Sequence, residues 1–271
     1  MKMNTTLVIN SKGGSGKTTL TTNLASYFAA NRIPTAVMDF DPQGSSLNWL
    51  RLRVDLAPKI HGANAAPQKT GLRSIGMHVP EGTRQLVIDG PAGASGLLLQ
   101  EMVARAHSII VPVQPSTIDI HATANFVRDL LVMGKLRSRN IRLAVVANRV
   151  RRSSPVYQPL ERFLSSLGLP FLARLSDSEI FLHAAESGLG IFELDPALSA
   201  TERAQFMPIV EWADPEFKSR GDSKVLRMSS SDLIWPTLRT IADCVPIFTV
   251  LAPTLMLALF SPSSTCFKVS P

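Results

Sequence analysis

The sequence predicts an α/β protein whose mostly parallel, twisted sheet is flanked by helices on both faces. Short apolar runs of strand length alternate with segments of helical periodicity from residue 4 to about residue 212. Such alternation is typical of parallel sheets with right-handed crossover connections. A glycine-rich stretch also joins the first strand directly to the first helix. The 271 residues could form one large α/β domain or two small ones.

The amino-acid composition and net charge indicate what kind of protein this is and what kind of partner it binds. The hydrophobic fraction of 45% and the charged fraction of 18% are ordinary for a globular protein. The net charge of +7 indicates an acidic partner, either nucleic acid or an anionic membrane. Both cysteines, Cys244 and Cys266, lie near the C-terminus and form no disulfide framework. Since the N-terminus does not read as a signal peptide, we expect a cytoplasmic protein.

The first functional motif is NSKGGSGKTT, residues 10–19, between the apolar run 7–9 and a helical segment at 17–31. Its glycines allow several backbone N–H groups to point at one anion, and the following helix dipole adds to that field. Lys17 can reach the β- and γ-phosphates, and the Thr18 hydroxyl can bind Mg²⁺. The predicted class is therefore a P-loop NTPase; a glycine-rich turn with two solvated lysines is the alternative. The predicted nucleotide-binding residues here are Gly13, Gly14, Ser15, Gly16, Lys17, Thr18 and Thr19.

Two further strands end in acidic residues. The strand at 33–40 leads into DFDPQG, which places Asp39 and Asp41 past the carboxyl end of a parallel strand, where open α/β sheets bind ligands. One carboxylate could contact the metal and the other could orient an attacking water, whereas an Asx turn is the alternative. The strand at 84–88 ends in Asp89, a Walker B arrangement that would hold Mg²⁺ directly or through water. A plain strand-to-turn aspartate is the alternative there.

The other elements follow from apolar spacing. Residues 54–82 are weakly patterned, with a short strand or helix expected among them. Trp49 is expected to pack in the core, with a contact to a partner chain as the alternative. Further strands are expected at 108–113, 141–147 and 171–175. Further helices are expected at 45–53, 94–106, 119–137, 161–167, 178–187 and 199–212.

Four of these motifs resemble the ParA/MinD family of deviant Walker A ATPases. The usual P-loop pattern has glycine at position 11, where this chain has Ser11, and here Lys12 is an additional lysine. DFDPQ at 39–43 resembles the D-x-D-P-Q motif of ParA-like proteins. DGPAG at 89–93 and IIVPVQPSTID at 109–119 resemble the small ParF-like branch, of plasmid-partition or carboxysome-positioning McdA type. The resemblance covers residues 4–212. Relatives often carry Pro-Arg where this chain has Ser176 and Asp177.

The resemblance implies specific roles. It implies an ATPase that uses ATP and Mg²⁺ and forms a sandwich homodimer, in which Lys12 of each subunit completes the other's site. The implied catalytic residues are Lys12, Lys17 and Asp41. The implied metal residues are Thr18, Asp39 and Asp89, and Asn148 is expected at the adenine edge. The ATP-bound dimer is expected to bind nucleoid DNA non-specifically, and a ParB-like cargo adaptor is expected to stimulate weak hydrolysis.

A run of basic residues suggests where DNA could bind. Seven positive charges without an acidic residue among them should repel one another. Binding of a polyanion would relieve this repulsion. The alternative is that these residues form only a solvated face. No helix-turn-helix or zinc-finger spacing accompanies them, so we expect contacts to phosphates rather than to bases. The seven residues are Lys135, Arg137, Arg139, Arg142, Arg149, Arg151 and Arg152.

The chain is expected to divide into an ATPase domain at 1–213 and an atypical tail at 214–271. The tail has a polar stretch and then an apolar run at 240–260 that contains Asp243, Pro246 and Pro253. It could associate with a membrane, bind a partner, or be a non-native or disordered extension, which we favour. The leading hypothesis is an ATPase that positions or segregates a plasmid, a chromosome or a protein assembly such as a carboxysome. The alternative is a MinD-like regulator at a membrane surface, although we expect no membrane partner; a metabolic P-loop ligase has no substrate motif here.

Overall fold

The computed structural model describes residues 3–67, 76–132, 140–151 and 157–217. The strands in these ranges are β1 (Asn4–Val8), β2 (Thr35–Asp39), β3 (His61–Asn64), β4 (Gln85–Asp89), β5 (Ser108–Val113), β6 (Arg142–Val150) and β7 (Phe171–Ser176). The helices are α1 (Lys17–Ala30), α2 (Ser45–Leu52), α3 (Gly96–Arg105), α4 (Thr117–Val132), α5 (Tyr157–Ser166), α6 (Ile180–Glu186) and α7 (Ala200–Ala213), with a short 3₁₀ helix at Ile191–Glu193.

The strands form one seven-stranded sheet in the order β3-β2-β4-β1-β5-β6-β7, and every neighbouring pair is parallel. The expected α/β fold is thus confirmed. β1 lies at the centre, between β4 and β5, so all carboxyl ends meet at one edge of the sheet. From β1 the chain forms β2, β3 and β4 on one side of β1 and then crosses to β5 on the other side. The end of β1 is therefore a topological switch point.

Both faces of the sheet are covered. Leu7 faces a core that includes residues of α3, α4 and α5, whereas the next residue, Val8, faces a core that includes residues of α1 and α7. Strands buried on both faces are mostly apolar along their length, because successive side chains point to opposite faces. This explains the apolar runs within β2, β4 and β5. β1 also buries Thr6, whose hydroxyl is hydrogen-bonded to that of Ser108.

The predicted boundaries agree closely with the structure inside the described ranges. The weakly patterned region at 54–82 contributes β3, and its residues 68–75 lie outside the described part. α5 begins at Tyr157, four residues before the expected start, and α4 is described only as far as Val132. Trp49 packs in the core at 4% exposure. The predicted tail lies almost entirely outside the described residues.

A tight turn at 188–190 packs against both α1 and the end of α2. Gly188 has φ of +64°, and a Cβ there would lie 2.4 Å from the Arg53 nitrogen; a Cβ on Gly190 would lie 1.8 Å from Ser26 Oγ. The Arg53 guanidinium donates to the Gly188 carbonyl at 2.9 Å and pairs with Glu193 at 2.6 Å. Both charged side chains are less than a tenth exposed, at 7% and 6%. The turn therefore depends on a buried ion pair.

Replacing Glu193 with glutamine should lower the free energy of unfolding by about 3 kcal/mol, because the Arg53 charge would stay buried without its counter-charge. Urea denaturation followed by circular dichroism measures this. The matched control is Glu101→Gln, which removes the exposed ion pair with Arg105 on α3 and should cost less than about 0.5 kcal/mol. Equal losses in the two variants would contradict a structural role for the buried pair.

Candidate nucleotide-binding site

The loop Ser11–Gly16 joins β1 to α1 at the centre of the carboxyl edge. Its position follows from the strand order, because the segments after β4 and β5 flank it on either side. Gly14 and Gly16 adopt φ of +76° and +92°, which favour glycine. The loop leads without a side-chain cap into α1, so its first-turn N–H groups remain available to an anion.

Side chains and a backbone amide hold the carbonyl groups of this loop. In a peptide unit the C=O and the next N–H point in opposite directions, so a fixed carbonyl also fixes a donor. Among the described residues none accepts a hydrogen bond from the N–H of Ser15 or Gly16. These donors are therefore pre-oriented for phosphate oxygens. The carbonyl bonds are Gly93 N to Ser11 O (2.8 Å), Lys17 Nζ to Lys12 O (3.0 Å), Gln114 Nε2 to Gly14 O (2.6 Å) and Asn148 Nδ2 to Ser15 O (2.9 Å).

The two lysines of the loop differ in environment. Lys17 is buried at 8% exposure, and its ammonium donates to the Lys12 carbonyl. Burial lowers the pKa of Lys17, while the charges of Asp89 and Asp41 partly offset this effect. Lys12, in contrast, has an exposed side chain. The structure thus places one lysine within its own cradle and presents the other to the outside.

Asp89 fits a position beside a cation. It is 1% exposed, and neither of its carboxylate oxygens has a hydrogen-bond partner of good geometry among the described residues. Burial first, and then the charge of Asp39, raises the pKa of Asp89 to about 7, although the Thr18 hydroxyl and Lys17 act in the opposite direction. Described His, Cys, Asp and Glu side chains form no metal-binding group of three or more. Mg²⁺ bound with nucleotide needs only one or two carboxylates.

Asp39 and Asp41 have separate environments. One Asp39 oxygen accepts the Asp41 N–H at 2.9 Å, and the other accepts the N–H groups of Ser46 and Leu47 and the Ser46 hydroxyl. Asp39 therefore caps α2, where no side chain of the helix itself does so. Asp41 is partly exposed and accepts the Gln43 N–H at 2.9 Å, an Asx turn. The metal and catalytic roles assigned to these two residues stay predictions.

Asn148 packs directly against the phosphate loop. Besides its bond to Ser15, its amide nitrogen would lie 1.9 Å from a Cβ on Gly16, so only glycine fits at that position. The side chain is 4% exposed. It supports the loop, and its expected contact to adenine stays a prediction.

Two supporting residues, Asn10 and Gln114, were missed by sequence reasoning. Asn10 is completely buried after β1, and Gln114 follows β5. Their one sequence signal is that polar residues directly follow apolar strands at the edge where the phosphate loop lies. Asp119, at the start of α4, is also buried and has one carboxylate oxygen without a partner among the described residues.

The three arginines of the predicted basic run that the structure describes do not all lie together. Arg142 begins β6 and stacks over the Trp212 ring at 4.9 Å, whereas Arg149 and Arg151 lie at the opposite, carboxyl end of that strand. Asp177, after β7, pairs with both at 2.9 and 2.7 Å. Hydrogen bonds from Arg149 and then Arg151 hold the pKa of Asp177 below its ordinary value. Lys135, Arg137, Arg139 and Arg152 lie outside the described residues.

Within the described ranges, none of the helices combines the length and apolar character needed to span a membrane. The apolar run at 240–260 lies outside those ranges.

The sheet order, the pre-oriented loop and the buried lysine and aspartate beside it define a P-loop nucleotide-binding protein. Residues 6–191 match the CobQ/CobB/MinD/ParA nucleotide binding domain. Since this span is more than half of the chain, the protein belongs to that family, and the predicted ParA/MinD relationship is confirmed. P-loop ATPases of the ParA/MinD type are members of this family.

Two relatives carry the name maintenance of carboxysome distribution protein A. The protein of Halothiobacillus neapolitanus is 23% identical over 195 residues, which cover 70% of this chain and 87% of that protein. The protein of Gloeobacter kilaueensis is 27% identical over 218 residues, which cover 78% and 94%. The predicted similarity to the McdA type is therefore confirmed.

Solved structures support the fold. Apo McdA of Cyanothece has a TM-score of 0.61 at 17% identity, with 78% of this chain and 99% of that chain covered. MinD of Pyrococcus horikoshii, complexed with Mg-ADP, has a TM-score of 0.58 at 16% identity, with 79% and 97% covered.

The raised pKa of Asp89 predicts a pH-dependent stability in metal-free buffer. The folded-state pKa of about 7 lies above the ordinary 3.8. Folded protein therefore holds this proton more tightly, and the free energy of unfolding should fall as pH rises between these two values. The full loss, reached above pH 7, is about 4 kcal/mol. Asp89→Asn should remove this loss, which urea denaturation at several pH values with a chelator measures.

The control for this prediction is Asp129→Asn, which removes an exposed carboxylate of α4 and should leave the pH dependence as in the wild type. A wild-type slope in Asp89→Asn would show that Asp89 does not control the pH dependence.

Proposed function

We propose that this protein is a ParA-type ATPase that dimerises on ATP, binds nucleoid DNA without sequence preference and positions a cargo. The observation that carries the proposal is the contrast between buried Lys17 and exposed Lys12 in one phosphate loop. One lysine suffices to bind the phosphates of its own nucleotide. A second that faces outward from the same loop is suited to a nucleotide held by another subunit.

Mg²⁺ would be held by the Thr18 hydroxyl and Asp89, directly or through water, and would neutralise charge on the β- and γ-phosphates. The protein's own groups do the rest in this proposal. The N–H groups of the loop orient the phosphates, Lys17 contributes positive charge from within the cradle, and Asp41 orients the attacking water. Lys12 joins from the partner subunit. ATP then favours the dimer because it binds that state better, and hydrolysis removes the bias.

The names of the relatives supply the cargo class. Both carboxysome-distribution proteins match this chain over most of their length, so we propose a protein assembly of that kind or a DNA cargo. A ParB-like adaptor on the cargo would stimulate weak hydrolysis and release the dimer. The protein would act in the cytoplasm, on the nucleoid. A MinD-like function at a membrane surface is the alternative, and the curated relatives named for carboxysome distribution and for ParA favour the first proposal over it.

Substitution of the two lysines separates binding from dimerisation. Lys17→Ala should abolish ATP and ADP binding, because the buried ammonium facing the phosphates is lost. Lys12→Ala should keep ADP binding in the monomer but lose dimerisation with a non-hydrolysable ATP analogue. Isothermal titration calorimetry and sedimentation velocity measure the two properties. Lys59→Ala, which removes an exposed lysine before β3, is the control and should behave as the wild type.

Two results would contradict the proposal. Tight nucleotide binding by Lys17→Ala would remove the phosphate-loop assignment. Wild-type dimerisation by Lys12→Ala would remove the contact between subunits.

Asp177 provides a test of the DNA step. It neutralises Arg149 and Arg151, whose side chains are 60% and 72% exposed. Asp177→Asn should free both for phosphates, raise affinity for random-sequence duplex DNA about three- to tenfold, and steepen its salt dependence. Fluorescence anisotropy across a salt series in the ATP state measures this.

Glu161→Gln is the matched control, because it removes one negative charge from a different arginine, Arg174. Equal gains in the two variants would reflect net charge alone. Absence of DNA binding by the wild type with ATP and with ADP would overturn the DNA step.

A further inference from the structure

A buried amide links the phosphate loop to the next strand and helix. Asn10 is 0% exposed and donates to the Pro112 carbonyl of β5 at 2.7 Å and to the Thr123 hydroxyl of α4 at 3.1 Å. Its amide oxygen accepts the Lys12 N–H at 3.3 Å and the Ser11 hydroxyl at 3.4 Å. Every polar atom of the Asn10 amide is thus used, and one end of the network is the backbone of Lys12.

The β5–α4 segment also holds the loop on the other side of Lys12. Gln114 donates to the Gly14 carbonyl at 2.6 Å. Asn10 thus holds the N–H of Lys12, and Gln114 holds the loop two residues after it, while the Lys12 carbonyl itself accepts from Lys17 at 3.0 Å. A backbone held on both sides has a fixed direction for its side chain, because the Cα–Cβ bond is determined by the backbone.

This matters for Lys12 in particular because its long side chain is exposed and has many rotamers. Among the described residues no acidic group forms an ion pair with it. The anchoring of its backbone is therefore the one described constraint on where its ammonium can reach. Loss of part of that anchor would spread the side chain over more positions and increase the entropy lost when it binds.

We propose that Thr123, acting through Asn10, is a positioning residue that directs Lys12 toward the nucleotide of the partner subunit. The inference rests on the proposed function, in which Lys12 makes that contact. It assigns to α4 a role in dimerisation that needs no contact between Thr123 and either nucleotide. Thr123 is completely buried, so it acts within its own subunit.

The test is Thr123→Val, which nearly keeps the shape of the side chain and replaces its hydroxyl with a methyl group. Dimerisation with a non-hydrolysable ATP analogue should weaken about three- to tenfold, the range expected for one buried hydrogen bond. Monomer affinity for ADP should stay at the wild-type value, because Gln114 and Asn148 still hold the cradle. Thr123→Ser, which keeps the hydroxyl, should restore dimerisation. Sedimentation velocity and calorimetry give the two constants.

Ser108→Ala is the matched control. It removes the buried hydrogen bond between Thr6 and Ser108, 3.0 Å long, which also links β1 to β5 but lies away from the loop. This variant should dimerise as the wild type does. Wild-type dimerisation by Thr123→Val, an equal loss in Ser108→Ala, or a parallel loss of ADP affinity would overturn the positioning role. Failure of the wild type itself to dimerise would overturn the proposed function and this inference with it.

Discussion

The structure of the site depends on the fixed orientation of a few peptide units. Gln114 and Asn148 reach the phosphate loop from the ends of two different strands and bind two successive carbonyl groups. The N–H groups on the opposite side of those peptides are held ready for an anion. Donors oriented in advance need no rearrangement when charge arrives, which is the general source of strong electrostatic stabilisation in protein sites.

The same edge of the sheet concentrates charges that the fold must compensate. Asp39 and Asp89 end neighbouring strands in register, so their carboxylates repel. The fold relieves one by turning Asp39 onto the first turn of α2, where backbone N–H groups stabilise it. Asp89 has no such partner among the described residues. A cation bound beside it, as proposed, would offset the cost of keeping it buried, so ligand affinity and apo stability would be linked.

The parts of the site that could be predicted from the sequence are those formed by residues close together in the chain. The phosphate loop and Asp89 were predictable because each follows from residues adjacent in the chain. Asn10 and Thr123 are 113 positions apart, and no local pattern indicates their hydrogen bond. The basic run shows the same limit. Within 135–152 it contains no acid, yet the fold brings Asp177 from β7 to two of its arginines and separates them from Arg142.

The strand order has a consequence for synthesis of the protein. β1 is made before its partners β4 and β5, and the contact from Asn148 to the loop spans 133 residues. While the chain emerges from the ribosome, the glycine-rich loop therefore lacks this framework until the chain has been translated as far as Asn148. Such non-local topology slows folding. The nascent protein thus acquires its ligand-binding ability late, so unfinished chains should not compete with finished ones for nucleotide.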